Sequence, residues 1–500
     1  MLSEKYRILK SGTDIRGIAS EGVEGESVNL TDEVVCEIAG GFALWLEKKC
    51  NKKSGDLTVA VGRDCRISGE HIADLVINTL IKYGVKVYDC ALSSTPAMFM
   101  TTVDLGCDAA VQITASHHPF NRNGLKFFIP SGGLDHGDII EILEYAESRK
   151  TPETKETGTV IAKDYMSAYC RHLCDFIKKE VNAKDYEHPL RGFKIVVDAG
   201  NGVGGFYERD VLRVLGADTK GSRYLEPDGT FPNHVPNPEN KEAMKSICDA
   251  VLESGADLGI IFDTDVDRGG AVDSDGNEIN RNRLVALASC IALENNPGGT
   301  IVTDSVTSSG LAEFIEQHLG GKHLRFRRGY KNVINKAIEL KNSGINAPLA
   351  IETSGHAAME ENYYLDDGAY LCTKIIVKAA QLRQEGKTLS SLLTELKEPA
   401  EATEIRIKIS DTDFKTTGEG IISSLEKYAK EQSGWEIVPD SYEGIRINFD
   451  KNNGDGWLLL RLSVHDPILP LNIESNQIGG VEIIKEKIMC FLKTQNGIVL

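Results

Sequence analysis

Short apolar runs alternate with stretches of helical spacing along most of this chain, and that alternation limits the folds open to it. Leu57 to Val61, Ala109 to Thr114, Phe193 to Val197, Leu258 to Phe262, Thr300 to Thr303 and Pro348 to Ile351 read as buried strands. Between them, Thr31 to Lys49, Gly69 to Lys82, Lys241 to Glu253 and Arg283 to Glu294 carry apolar residues at helical spacing. Strand–helix–strand repetition predicts α/β units around central, largely parallel sheets. A chain of 500 residues is too long for one ordinary core, so several units are expected.

The last hundred residues read differently. Glu404 to Ile409 alternates with period two, Thr412 to Glu431 has helical spacing, and Ile445 to Asn448 and Trp457 to Leu462 read as strands. A closing helix is expected over Gly480 to Thr494. This predicts an α+β module whose sheet keeps one exposed face. Breaks are expected near Lys397-Glu398-Pro399-Ala400, across Ser148 to Gly158 and around Asp275 to Arg281. They divide the chain into residues 1–155, 156–277, 278–398 and 399–500.

The net charge of -18 sets up an average field that repels polyanions, and aromatics at 7% leave little for base stacking. Nucleic acid is therefore not expected as a partner. The 11 cysteines are scattered, with no C-x-x-C pair. Cys170 and Cys174, four apart in a helical stretch, read either as a thiol pair for a metal or as two small half-buried side chains. No leader-like apolar segment follows Met1 and no stretch reaches the length of a membrane span, so a reduced, cytoplasmic protein without a membrane partner is expected.

Charged and nucleophilic residues gather at the C-terminal ends of the predicted strands, where open α/β sheets bind ligands. After Leu258 to Phe262 comes Asp263-Thr264-Asp265-Val266-Asp267-Arg268. Three carboxylates at alternate positions repel one another unless a hard cation is shared, although a solvated acidic turn has the same pattern. An EF-hand is excluded: Arg268 stands at position six and Ser274 at position twelve. After Ala109 to Thr114, Ser116-His117-His118-Pro119 leads through Asn123 to Lys126. This places a serine on a loop expected to be exposed and mobile, with His117, His118 and Lys126 as candidates for proton acceptance and charge neutralisation. The bland alternative is a turn-capping serine.

Three weaker patterns follow. Glu352-Thr353-Ser354-Gly355-His356 offers directional hydrogen bonds suited to vicinal hydroxyls, or forms a polar turn. Lys322 to Lys331 holds five cations, either a solvated basic face or a local attraction for phosphate. Arg461 and Ser463, with the loop after them, suit a phosphate pocket.

Taken together, T-A-S-H-H-P, D-x-D-x-D-R and E-T-S-G-H in this order, with Ser11-Gly12-Thr13-Asp14-Ile15-Arg16-Gly17 ahead of them, resemble the α-D-phosphohexomutase superfamily over essentially the whole chain. The branch that looks nearest is phosphomannomutase/phosphoglucomutase. The resemblance implies three related α/β domains with mixed sheets and a C-terminal α+β domain around a central cleft. The phosphoserine, metal, sugar and phosphate loops would fall in the first to fourth domains in turn. It implies phosphorylation of Ser116, and Mg²⁺ held by Asp263, Asp265 and Asp267 with an oxygen on Ser116. Arg16, Lys126 and His117 would assist proton transfer and charge stabilisation. Arg268 and Lys331 would contact substrate, Glu352, Ser354 and His356 would hold the sugar, and Arg461, Ser463 and His465 would meet the distal phosphate.

The implied reaction interconverts hexose 1-phosphate and hexose 6-phosphate of mannose or glucose, with hexose 1,6-bisphosphate as intermediate and activator, in a monomer or homodimer. Phosphoglucosamine mutase, phosphopentomutase and a metal-dependent sugar-phosphate phosphatase are the alternatives. Two departures from the family pattern stand out. The loop R-L-S-V-H-D-P replaces the usual R-P-S-G-T-E-P, putting Val464 and His465 where glycine and a hydroxyl residue are common. Thr353 occupies a position that varies with substrate.

Overall fold

The computed structural model describes residues 2–149, 157–439, 441–463 and 466–500. The middle of the expected break at Ser148 to Gly158, and Val464 and His465, lie outside the described residues. The chain forms two compact units, Met1–Leu284 with Ser354–Ser391, and Val285–Thr353 with Leu392–Leu500.

The first unit contains two sheets. The larger has 8 strands, and its centre is the parallel set Ala109–Ile113, Thr58–Arg63 and Lys86–Leu92. The antiparallel strand Arg122–Ile129 follows beside Ala109–Ile113, and Asp14–Ile18 pairs with it. Ala109–Ile113 and Thr58–Arg63 are buried on both faces, which explains why they read as continuous apolar runs rather than as alternation. Helix Asp32–Cys50 starts at Thr31, whose hydroxyl accepts from the Val34 amide, and buries Phe42, Trp45 and Leu46 in the core. The second sheet pairs Ile195–Asp198 parallel with Leu258–Phe262, which turns back antiparallel into Gly269–Asp273. Helix Gly368–Gln384 begins so close to this turn that a side chain at Gly368 would collide with the Arg268 backbone.

In the second unit, Thr300–Thr303 lies between the parallel strands Lys322–Arg325 and Leu349–Ile351. A 6-stranded sheet with helices Phe414–Lys430 and Gly480–Leu492 forms the C-terminal region. Ile447, Leu458, Leu471, Ile484 and Ile488 build its core. The strand Ile468–Ser475 at the centre of this sheet was not read from sequence, because Pro467 and Pro470 interrupt its pattern.

The expected exposed face holds for Glu401–Ile409, whose alternate residues are exposed. It fails at the sheet's centre, where Arg446 and Trp457 are both buried. The Arg446 guanidinium stacks 3.6 Å from the Trp457 ring centroid and donates to the carbonyls of Ser305 and Thr307, 3.1 Å each. Those carbonyls follow strand Thr300–Thr303, so the preceding α/β layer covers the face.

Candidate active site

The segment Thr114 to Lys126 is only partly a loop. Ser116 follows strand Ala109–Ile113, but Lys126 sits on strand Arg122–Ile129. The expectation of an exposed, mobile serine is not met: Ser116 is 2% exposed and has a left-handed φ of 50°. Its amide donates to Thr114 Oγ1 at 2.9 Å. Its hydroxyl lies 3.2 Å from both Asp263 Oδ2 and His117 Nδ1.

The loop is immobilised by Arg66, a buried residue that sequence reasoning missed. Arg66 Nη1 donates to the carbonyls of Pro119 and Arg122 at 2.7 and 2.9 Å, and Nη2 to those of His118, at 2.7 Å, and Ser116. Asp64 accepts from the Arg66 amide at 2.9 Å and approaches its Nε at 3.3 Å. The available signal was an acid and a cation immediately after strand Thr58–Arg63, the same strand-end position that singled out the other motifs.

The aspartates after Leu258–Phe262 are buried, so the solvated-turn alternative is dismissed. Asp263, Asp265 and Asp267 bring carboxylate oxygens within 4.8 Å of one another. Desolvation and the neighbouring Asp267 raise Asp263 well above the usual carboxylate range and Asp265 to about 7. Burial acts on Asp267 in the same sense, but Lys126, His356 and Arg268 overcome it and hold that carboxyl low. Lys126 Nζ donates to Asp267 Oδ2 at 2.8 Å. Asp265 Oδ1 and Asp267 Oδ1 are buried with no hydrogen-bond partner among the described residues. Three crowded carboxylates with unused oxygens fit a hard divalent cation. Thr95, also missed, donates its hydroxyl to Asp265 and its amide to the Asp265 carbonyl at 2.9 Å.

His356 lies beside this cluster. Arg268 Nε donates to His356 Nε2 at 2.8 Å, and His356 Nδ1 faces Asp366 Oδ2 at 2.6 Å. Asp366 carries no local sequence signal and is reached only through the fold. Ser354 is buried in the same unit. Arg16 pairs with Asp14 at 2.7 Å on the strand aligned with Gly124. Desolvation, helped by Arg268, pushes His117 down to about 2; desolvation, helped by Arg16, pushes His118 down to about 3. Both rings are therefore neutral, and His117 is placed to orient the Ser116 hydroxyl rather than to hold its proton.

The second unit holds Lys331, Glu352, Arg461 and Ser463. Glu352 is buried and accepts from the Gly329 amide at 2.6 Å, while Lys331 lies in the first turn of helix Tyr330–Asn342. Thr353 donates its hydroxyl to Asp304 at 2.8 Å. Arg461 lies just past strand Gly456–Leu460 with Nη1 3.7 Å from Glu443 Oε1, and burial lowers its pKa. Glu443 Oε2 also accepts from Ser305 Oγ at 2.5 Å and the Arg328 amide at 3.1 Å. Asp304 and Glu443 complete the list of missed polar residues here. Asp304 shows the strand-end signal, whereas Glu443 lies in a loop without one. The run Lys322 to Lys331 is no solvated face throughout: Arg325 donates to the carbonyls of Thr307 and Ser308 at 3.3 and 2.7 Å.

Cys170 and Cys174 are buried side chains on helix Met166–Val181, and burial raises their thiols to about 12 and about 11. They are neutral thiols, which favours the packing reading.

Family comparisons agree with this layout. Phosphoglucomutase/phosphomannomutase α/β/α domains I, II and III match residues 7–152, 168–276 and 280–399. A phosphomannomutase/phosphoglucomutase of Pseudomonas syringae pv. tomato is 30% identical, over 94% of this chain and 92% of that protein. A phosphoglucomutase of Neisseria gonorrhoeae is 28% identical over 97% of each chain. Among solved structures, a phosphoglucomutase/phosphomannomutase family protein from Burkholderia thailandensis superposes with a TM-score of 0.79 at 26% identity, covering 99% of this chain and 98% of its own. Three α/β domains followed by a sheet-rich C-terminal domain make the phosphohexomutase architecture. The chain belongs to the phosphoglucomutase/phosphomannomutase family, and so is a mutase of the isomerase class.

Proposed function

We propose that this mutase interconverts the 1- and 6-phosphates of mannose and glucose, with Ser116 as the phosphoryl carrier and hexose 1,6-bisphosphate as intermediate and activator. The observation that carries the proposal is the Ser116 hydroxyl, held 3.2 Å from an aspartate of a buried carboxylate cluster beside Lys126.

In the forward half-reaction the P–O bond to Ser116 breaks as a sugar hydroxyl bonds to phosphorus, and the proton that hydroxyl loses is balanced by the one the freed Ser116 oxygen takes up. In the return, Ser116 attacks the other phosphate, the P–O bond to the sugar breaks, and the departing sugar oxygen takes up the serine proton. His117 Nδ1, 3.2 Å from the hydroxyl, orients it; with its pKa pushed down to about 2 the ring is too weak a base to hold the proton. Lys126 and Arg16 contribute positive charge where negative charge grows on the transferring oxygens. Asp263, Asp265 and Asp267 would hold Mg²⁺, which when bound neutralises those oxygens. Arg268, Lys331, Glu352, Ser354 and His356 would orient the sugar. Arg461 and Ser463 would bind the end that does not react, with His465 beside them.

The reading divides the chain functionally at about residues 155, 277 and 398. It takes the enzyme to be a cytoplasmic monomer or homodimer acting on free sugar phosphates, without nucleic acid. No helix among the described residues is long and apolar enough to cross a membrane.

The test is an assay of glucose, mannose and glucosamine 1-phosphates with catalytic hexose 1,6-bisphosphate, following isomerisation and inorganic phosphate release together. Isomerisation of the glucose and mannose esters without net phosphate is expected. Net phosphate without isomerisation would identify a phosphatase, and a preference for the glucosamine ester would overturn the sugar assignment.

A further inference from the structure

We infer that Gly368 is a positioning residue for the carboxylate cluster, holding the turn through Val266 that brings Asp263, Asp265 and Asp267 together. The inference rests on the cation site of the proposed function. An extended D-x-D-x-D segment would set its outer Cα atoms about 13 Å apart. These carboxylate oxygens lie within 4.8 Å of one another, so the chain has to turn. The Asp263 amide donates to the Arg268 carbonyl at 3.4 Å and the Arg268 amide to Asp263 Oδ1 at 3.2 Å, which closes the base of the turn. Inside it Val266 is fully buried with a φ of 67°. That left-handed conformation is costly for a β-branched residue and persists only where the surroundings fix it.

Three backbone amides fix it. Val203 donates to the Thr264 carbonyl at 2.9 Å, Thr95 to that of Asp265 at 2.9 Å, and Gly368 to that of Val266 at 3.1 Å. Thr95 and Gly368 each open a helix, Thr95–Asp104 and Gly368–Gln384. Amides in a first turn have no partner within their own helix, so they are free to serve the turn. The positive ends of the two helices also ease the repulsion among the three carboxylates. The start of the second helix is itself anchored: the Asp367 carboxylate accepts from the Tyr370 amide at 2.8 Å and the Tyr169 hydroxyl at 2.7 Å.

Glycine is needed at 368 for closeness of approach. A Cβ there would lie 2.9 Å from Arg268 Cα and nearer still to the Arg268 carbonyl. From the other side, a Cβ at Gly269 would lie 2.9 Å from the Gly368 carbonyl oxygen. With neither side chain present, the helix start seats directly on the turn, next to Asp267. A larger residue at 368 has to push Arg268 away, and Asp267 with it.

Titration calorimetry of the full-length chain with Mn²⁺, a hard divalent probe, tests the inference. Gly368→Ala favours the helix itself, yet it should weaken Mn²⁺ binding at least tenfold by shifting the turn. Adding Val266→Gly should then recover affinity at least threefold, because glycine keeps a left-handed φ unaided and yields to the displaced backbone. A chain merely damaged by crowding would lose more, not regain, when a second buried side chain is removed. Equal Mn²⁺ affinity of the parent and Gly368→Ala overturns the inference while leaving the cation site intact. So does a double variant that binds no better than Gly368→Ala. A parent chain without saturable Mn²⁺ binding below about 10 mM overturns the cation site and the inference together.

Discussion

Ser116 and Arg461 occupy similar places, each just beyond the end of a strand, yet their surroundings differ. Ser116 lies among groups fixed by contacts distant in sequence: Asp263, Lys126 bound to Asp267, and Arg66 gripping four loop carbonyls. Arg461 is partly open, and its nearest carboxylate partner is Glu443, at a longer 3.7 Å. The first arrangement suits bond making, where preorganised charge lowers a barrier. On the proposed function, the second would suit an end of the substrate that is bound and released, since the long Arg461–Glu443 contact engages the guanidinium only weakly. Bond making and phosphate binding would then be served by regions of different rigidity.

The comparison can be broken at five points. Ser116→Ala should lower kcat by roughly 10⁴-fold or more, since the covalent route is removed; near-normal turnover would end the assignment. Arg66→Met releases the carrier loop and should cost about 10²-fold in kcat with little change in KM. Arg66→Lys should recover only part, because one ammonium cannot serve four carbonyls; equal activity of the two variants would reduce Arg66 to a packing residue. Thr95→Val removes the hydroxyl oriented on Asp265 and should raise the half-activating Mg²⁺ concentration about 10–100-fold. If kcat at saturating metal collapsed instead, Thr95 would act on the reaction itself.

Arg461→Ala should raise KM for hexose phosphate about tenfold or more while sparing kcat relative to the Ser116 variant. A kcat loss without a KM change would contradict the binding role. The smallest effect concerns Glu474. Its carboxyl is raised to about 7 by burial, against about 4.3 when unfolded. A raised pKa contributes stability that is full below pH of about 4 and is lost as pH rises through about 7. Denaturant unfolding should therefore show Glu474→Gln losing roughly 1–3 kcal/mol less than the parent between pH 5 and 8. Parallel pH profiles would mean that the carboxyl is better compensated than its burial implies.

Much of the frame was legible beforehand because local rules decide it. Leu258–Phe262, Thr300–Thr303 and Gly69–Lys82 fall where apolar runs and helical spacing put them, and acids after strands marked the aspartates. The covered face at Arg446 was not legible, since period-two alternation gives the polarity of a face and not what packs on it. Nor was Ile468–Ser475, where Pro470 and the preceding Pro467 mimic a loop.

By itself the sequence determined the order of α/β units, the change of plan after residue 400 and the residue types brought to strand ends. These follow from periodicity and turn chemistry within a few residues. Only the tertiary structure decided that Ser116 is buried and held, that Arg66, Thr95 and Asp366 support the cluster, and that Glu443 faces Arg461. Those contacts join residues dozens to more than a hundred positions apart in most cases. They depend on which strands become neighbours, a choice made by the packing of whole layers rather than by local preference.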